Sequence, residues 1–189
     1  MKRAIVKMRS VSPYSQSSKI QSAKGDREKH DDYETRTWRE RCHVTSDGDI
    51  FIPPMAFANS LKEAAKYLSI QVSGQGKSTY TKNFEAGVMV LDPLVLPIKA
   101  SKVKGETLFV PSDGKPGGGK RVEKTFPVIP LWEGTVEYIV LDDLITEEVF
   151  RRVLVASGTL IGIGRFRPRN RGYYGRFEIV SFSWHQEEL

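Results

Sequence analysis

The chain has 189 residues, with 29 lysines and arginines against 23 aspartates and glutamates, a net charge of +6. Hydrophobic residues make up 39% and aromatics 10%, enough for one packed core and too many for a wholly disordered chain. No run approaches the roughly 18 to 20 apolar residues that a bilayer demands, and the single cysteine, Cys42, allows neither an internal disulfide nor a cysteine-based zinc site.

In chain order, the basic N-terminus has an apolar run too short for a signal peptide. Arg3–Met8 alternates, with Ala4, Val6 and Met8 on one side, and reads as a strand. Ser10–Asp49 is polar and turn-rich, too long for an ordinary connection, and is expected to be an excursion from the core, mobile or ordered by a partner. After Pro53-Pro54, residues Ala58, Leu61, Ala65 and Leu68 recur at helical spacing, which predicts a helix over Met55–Ser69 started by Pro54. Ala86–Ile98 reads as a strand pair, or one bent strand, broken at Asp92-Pro93. Lys99–Lys124 is a second long polar excursion, whose run from Lys115 to Arg121 forms a cationic, glycine-rich hairpin tip or surface loop. Gly134–Leu141 predicts a strand. Asp142–Ser157 predicts a helix capped by Asp142 or Asp143 and ended by Gly158. Phe177–Trp184 alternates again, placing Phe177, Ile179, Ser181 and Ser183 on one side and Glu178, Val180, Phe182 and Trp184 on the other.

Strand, helix, strand, strand, helix, strand is the order of an α+β, ferredoxin-like (RRM-like) split βαβ core: an antiparallel sheet with two helices on one face. One such domain over 1–189 is expected, with long insertions at about 10–49 and 99–124. RNA recognition motifs use this plan and bind single strands on the open sheet face, although the fold alone does not carry that function.

The most informative stretch runs from Gly158 to Phe177. Arg165, Arg167, Arg169, Arg171 and Arg176 fall within twelve residues without an acid among them, interleaved with Phe166, Tyr173 and Tyr174. Guanidinium forks pair with phosphate oxygens, and aromatic faces stack bases. Gly162, Gly164, Gly172 and Gly175 let a backbone approach a ligand. The alternative is a tight structural turn with solvated arginines.

The pattern Gly162-x-Gly164-Arg165 followed by Gly172-x-x-Gly175-x-Phe177, after the second helix of a ferredoxin-like plan, resembles the C-terminal glycine-rich loop of the repeat-associated mysterious protein (RAMP) superfamily. These are RRM-like subunits of CRISPR effector complexes and their relatives. The resemblance implies a protein that binds single-stranded RNA, as a homo-oligomer lined up head to tail or as a subunit of a ribonucleoprotein, and the single cysteine fits a cytoplasmic, reducing location. The runs Trp38-Arg39-Glu40, Gly48–Pro54 and Lys62–Ala65 also resemble small bacteriophage and prophage proteins, which leaves single-stranded DNA open as the partner. The chain is shorter than the usual backbone subunits of the superfamily.

Gly74-Gln-Gly76-Lys77-Ser78-Thr79 resembles the end of a phosphate-binding loop, but Gln71 stands where the first glycine belongs and a helix precedes it instead of a strand. Lys77, Tyr80 and Lys82 read as a basic loop that touches a strand, with Lys77 and Lys82 as its candidate contacts, or as a simple turn. In Lys24–His43 the charges alternate in sign, and Trp38 is expected to anchor that segment on the core. His30, His43 and His185 lack metal-ligand spacing, so no metal and no cofactor is expected. RAMP-type nucleases use a histidine to cut RNA, which makes His30 and His43 the runner-up catalytic residues of a metal-independent endoribonuclease. A third possibility is binding of an acidic protein partner. Binding of a single strand leads, because only the glycine–arginine segment combines several convergent groups.

Overall fold

The computed structural model describes residues 1–112, 117 and 119–186. Lys115, Pro116 and Gly118 of the cationic glycine run lie outside the described residues. Four strands make the main sheet: β1 (Lys2–Ser10), β4 (Val88–Val90), β8 (Glu133–Val140) and β9 (Phe177–Gln186). Their order is β4-β8-β1-β9 and every neighbouring pair is antiparallel. Two helices, α2 (Pro54–Leu68) and α4 (Glu147–Ala156), connect β1 to β4 and β8 to β9. Each connection crosses one intervening strand, so the core is a ferredoxin-like split βαβ.

The core lies between the sheet and these helices. Ala4, Val6 and Met8 of β1 and Val136, Tyr138 and Val140 of β8 are buried there. α2 contributes Phe57, Leu61 and Ala64, and α4 contributes Phe150, Val153 and Leu154. Phe150 packs against Phe84, Tyr138, Phe182 and Trp184 with ring centroids 5.4–6.3 Å apart. A buried side chain of this size contributes about 1.5–3 kcal/mol by leaving water, and each aromatic pair about 0.5–1.5 kcal/mol more.

Three local features differ from the sequence expectation. α4 begins at Glu147, because the Thr146 hydroxyl accepts from the Val149 N–H and so caps the helix in place of Asp142 or Asp143. Gly158 does not end the helix. The chain continues through a π-turn, Ser157–Ile161, to Gly162, whose φ of 74° breaks the helical path. A bulge in β9 changes which residues share a face. Met8 pairs with Ile179 but Lys7 pairs with Ser181, so Val180 is the extra residue. Phe177 and Ile179 therefore share the helix-covered face with Phe182 and Trp184.

The described residues of both long insertions include regular elements that pack on one another. The second contains a hairpin of β6 (Lys104–Pro111) and β7 (Arg121–Ile129), joined by β2 (Tyr14–Ser15) into a sheet of order β2-β7-β6. The first contains β2, helix α1 (His30–Thr37) and a 3₁₀ turn at Trp38–Arg41, and it docks on that hairpin. Trp38 is buried against Gly105, where a side chain would meet both the indole and Thr125. A second ribbon pairs β3 (Asp49–Ile52) with β5 (Leu94–Lys99). The segment Gln71–Thr79 closes into a turn before α3 (Thr81–Gly87), with Val72 N–H donating to the Ser78 carbonyl at 2.9 Å. Among the described residues no helix is long and apolar enough to cross a membrane.

Candidate nucleic-acid interface

The glycine–arginine loop leaves the π-turn and folds back along itself. Ile163 N–H donates to the Gly175 carbonyl at 3.0 Å, and Tyr174 N–H to the Phe166 carbonyl at 3.2 Å. The doubled loop is fastened to the segment after β1. Arg165 N–H donates to Ser15, and Gly175 N–H to Pro13. The glycines are needed for this closure. A Cβ on Gly175 would overlap the Ile163 carbonyl, one on Gly172 the Phe166 carbonyl, and one on Gly164 the Tyr14 ring. Their smallness lets the chain's own strands approach each other.

The arginines separate into held and free. Arg165 lies with its guanidinium 3.9 Å from the centre of the Phe126 ring, and its Nε donates to Ser15 Oγ at 3.1 Å. Burial lowers its pKa, but a guanidinium stays charged in a protein. Its Nη2 is buried, 3.9 Å from the Glu106 carboxylate, and has no hydrogen-bond partner. Arg167 Nη2 donates to Glu63 on α2 at 3.0 Å, while its buried Nε has no partner. Arg176 Nε donates to the Thr159 carbonyl on the π-turn side of the loop. Arg169 and Arg171 are exposed and make no side-chain hydrogen bond or ion pair among the described residues. Of the two tyrosines, Tyr174 is buried with its hydroxyl donating to Glu106, and Tyr173 is exposed, with its ring edge-on to Tyr174.

Around the loop three clefts adjoin. The first, about 360 Å³, lies between β2, the start of α2 and the loop, and is lined by His43, Met55, Asn59, Arg165 and Arg167. The start of α2 has no side-chain cap and no acid in its first turn, so its backbone N–H groups favour an anion. The second, about 430 Å³, shares Ser17 and Arg165 with the first and continues to Lys124, Phe126 and Val110 on the hairpin. The third, about 410 Å³, is lined by Lys62, Lys66, Tyr67, Glu85 and Arg169, together with Glu63, the partner of Arg167 in the first cleft. The first and second clefts thus share lining residues, and the Arg167–Glu63 ion pair stands between the first and the third.

No family model and no curated protein matches the chain. Among solved structures the chain is similar to Cmr6 from Pyrococcus furiosus, with 14% identity over 94% of this chain and 98% of that one and a TM-score of 0.47. It is also similar to a chain of the Type III-B Cmr-beta complex bound to cognate target RNA, with 10% identity, a TM-score of 0.48, and coverage of 97% of this chain and 60% of that one. A third is Cas6 in a product complex, with 14% identity, a TM-score of 0.35, and coverage of 95% and 50%.

The remaining candidates spread out. His43 lines the first cleft with its ring 5.6 Å from that of Phe51. Burial lowers its pKa, so it is neutral near pH 7. No acid or base is hydrogen-bonded to its ring among the described residues. His30 sits at the start of α1, where its Nε2 is 3.1 Å from the Glu123 carbonyl of β7, and it lines none of the three clefts. Lys82 is exposed on α3, one turn before Glu85 of the third cleft, whereas Lys77 is exposed in the preceding turn and lines none of the three clefts. No group of metal-ligating side chains is present among the described residues. Lys62, Lys66 and Lys124 were not legible as site residues. Lys62 and Lys66 stand four apart on the polar side of a helix, which is the pattern of any solvated face.

Proposed function

We propose that the chain binds single-stranded nucleic acid, RNA before DNA, along the track of adjoining clefts. One observation carries the reading: a single loop supplies residues to all three clefts or pairs with residues that line them, and two of its guanidinium groups have buried N–H atoms without a partner. An orphaned buried donor is costly, and both guanidiniums line the first cleft, where their charge attracts a phosphate. Lys62, Lys66, Lys124 and Arg169 extend the positive charge to both ends of the track. The preference for RNA rests on the resemblance of the loop to the RAMP superfamily, as does the arrangement of several copies head to tail on one strand.

Binding without cleavage is the reading for His43, because among the described residues no hydrogen-bond partner fixes the tautomer and orientation of its ring. Titration of fluorescent single-stranded RNA and DNA at two salt concentrations tests the proposal, beside a Lys62→Ala/Lys66→Ala/Arg169→Ala variant. Each lost phosphate contact makes the slope of log affinity against log salt shallower by ~0.7, so the triple variant is expected to lose about 2. Equal binding by wild type and variant overturns the track. Electron microscopy with and without a long strand tests the head-to-tail arrangement.

A further inference from the structure

Among the described residues, three that are not glycine hold a positive φ: Ser69, Phe166 and Arg171. Two of them lie in the glycine–arginine loop. A left-handed backbone is unfavourable for any side chain with a Cβ and most so for a bulky one. Glycine would occupy both positions without strain. Neither side chain is deeply buried or paired in return. Among the described residues, Phe166 is 51% exposed and enters no aromatic pair, and Arg171 is exposed with no ion pair or side-chain hydrogen bond.

The loop also brings the two residues to one place. Gly172, next to Arg171, lies so close to the Phe166 carbonyl that a Cβ there would overlap it, and Tyr174 N–H donates to that carbonyl. On either side of Phe166 in the chain, Arg165 and Arg167 line the cleft at the start of α2. The loop thus sets the backbones of Phe166 and Arg171–Gly172 side by side, at the expense of strain, beside the cleft that Arg165 and Arg167 line.

We propose that Phe166 and Arg171 form a nucleotide subsite, in which the ring stacks one unpaired base and the guanidinium takes the adjoining phosphate. This subsite rests on the strand-binding reading above. Aromatic stacking needs a base face free of its own partner, so the subsite selects single strands over duplex.

The test uses the full chain and a single-stranded RNA that carries a fluorescent adenine analogue quenched by stacking. Phe166→Gly and Arg171→Gly suit their backbone positions and are expected to melt at or above the wild-type temperature. Phe166→Gly is expected to bind the strand about five- to hundredfold more weakly and to lose the quenching, while Phe166→Trp restores both. Arg171→Gly is expected to keep the quenching and make the salt slope shallower by ~0.7. A Phe166→Gly variant with wild-type affinity and quenching overturns the subsite and leaves the track standing. Unchanged strand binding with altered sedimentation also overturns it, and makes the ring a protein contact. A wild-type chain that binds no strand removes the track and the subsite together.

Discussion

At the scale of single residues, one carboxylate organises the centre of the interface. Glu106 accepts the Tyr174 hydroxyl, and Arg165 stands 3.9 Å from it while covering Phe126. Burial first, and then the bond to Glu106, pushes the Tyr174 phenol up to about 12. An unfolded tyrosine ionises near pH 10, so the folded chain holds this proton more tightly. The resulting stability is fully present below pH ~10 and is lost as pH rises from about 10 to about 12. Tyr174→Phe is therefore expected to lower stability at neutral pH and to lose less further stability across that window than the wild type, as read by urea unfolding at several alkaline pH values. Parallel losses in both proteins would show that the phenol is not held. None of this was legible beforehand. The density of arginines between Arg165 and Arg176 marked the segment, but Glu106, Ser15 and Phe126, which decide which arginines are held, are distant in sequence and carry no mark of the pairing.

At the scale of elements, a buried ion pair within the first insertion ties it to the hairpin through the Thr125 backbone. Arg41 donates to both oxygens of Glu34 at 2.6 and 3.0 Å, and also to the Thr125 carbonyl. Glu34 in turn accepts the Thr125 N–H at 2.6 Å. The two side chains are only 8% and 7% exposed. Removing one partner leaves a charge buried and unpaired, so Glu34→Ala is expected to cost about 3–5 kcal/mol, and Glu34→Leu/Arg41→Met to recover most of it. The urea midpoints of the three proteins check this, and a loss under ~1 kcal/mol in the single variant would mean that the pair is solvated. The same interactions explain why these elements escaped the sequence. β1, α2, β8, α4 and β9 bury an apolar stripe on one core, and their periodicity shows it. α1 and the hairpin are held by Glu34, Arg41 and the Thr107–Thr125 hydroxyl contact, with polar residues where a period would be read. The bulge at Val180 was invisible for a different reason, because a one-residue slip changes the facing of a strand and leaves its composition alone.

At the scale of the whole molecule, the positive charge is used unevenly, and that separates two routes for a bound strand. On the open face of the main sheet, Arg3 pairs with Glu137 at 2.9 Å, Lys7 with Glu133 at 2.7 Å and Arg9 with Glu178 at 2.5 Å. The two central strands present Arg3, Ile5, Lys7 and Arg9, and Glu133, Thr135, Glu137 and Ile139, to that face, with no aromatic ring among them. An RRM-type platform stacks bases on sheet aromatics, and these strands offer none. Cations already neutralised by carboxylates also release few counterions when a phosphate arrives. A Lys7→Ala/Arg9→Ala variant is therefore expected to bind single strands within about twofold of the wild type, with the same salt slope. Its stability should stay close to that of the wild type, because exposed ion pairs contribute little. The Lys62→Ala/Lys66→Ala/Arg169→Ala variant, measured beside it, should lose affinity and slope together. If the sheet-face variant weakens binding as much as the cleft variant does, the strand crosses the sheet and the clefts around the glycine–arginine loop are not its path.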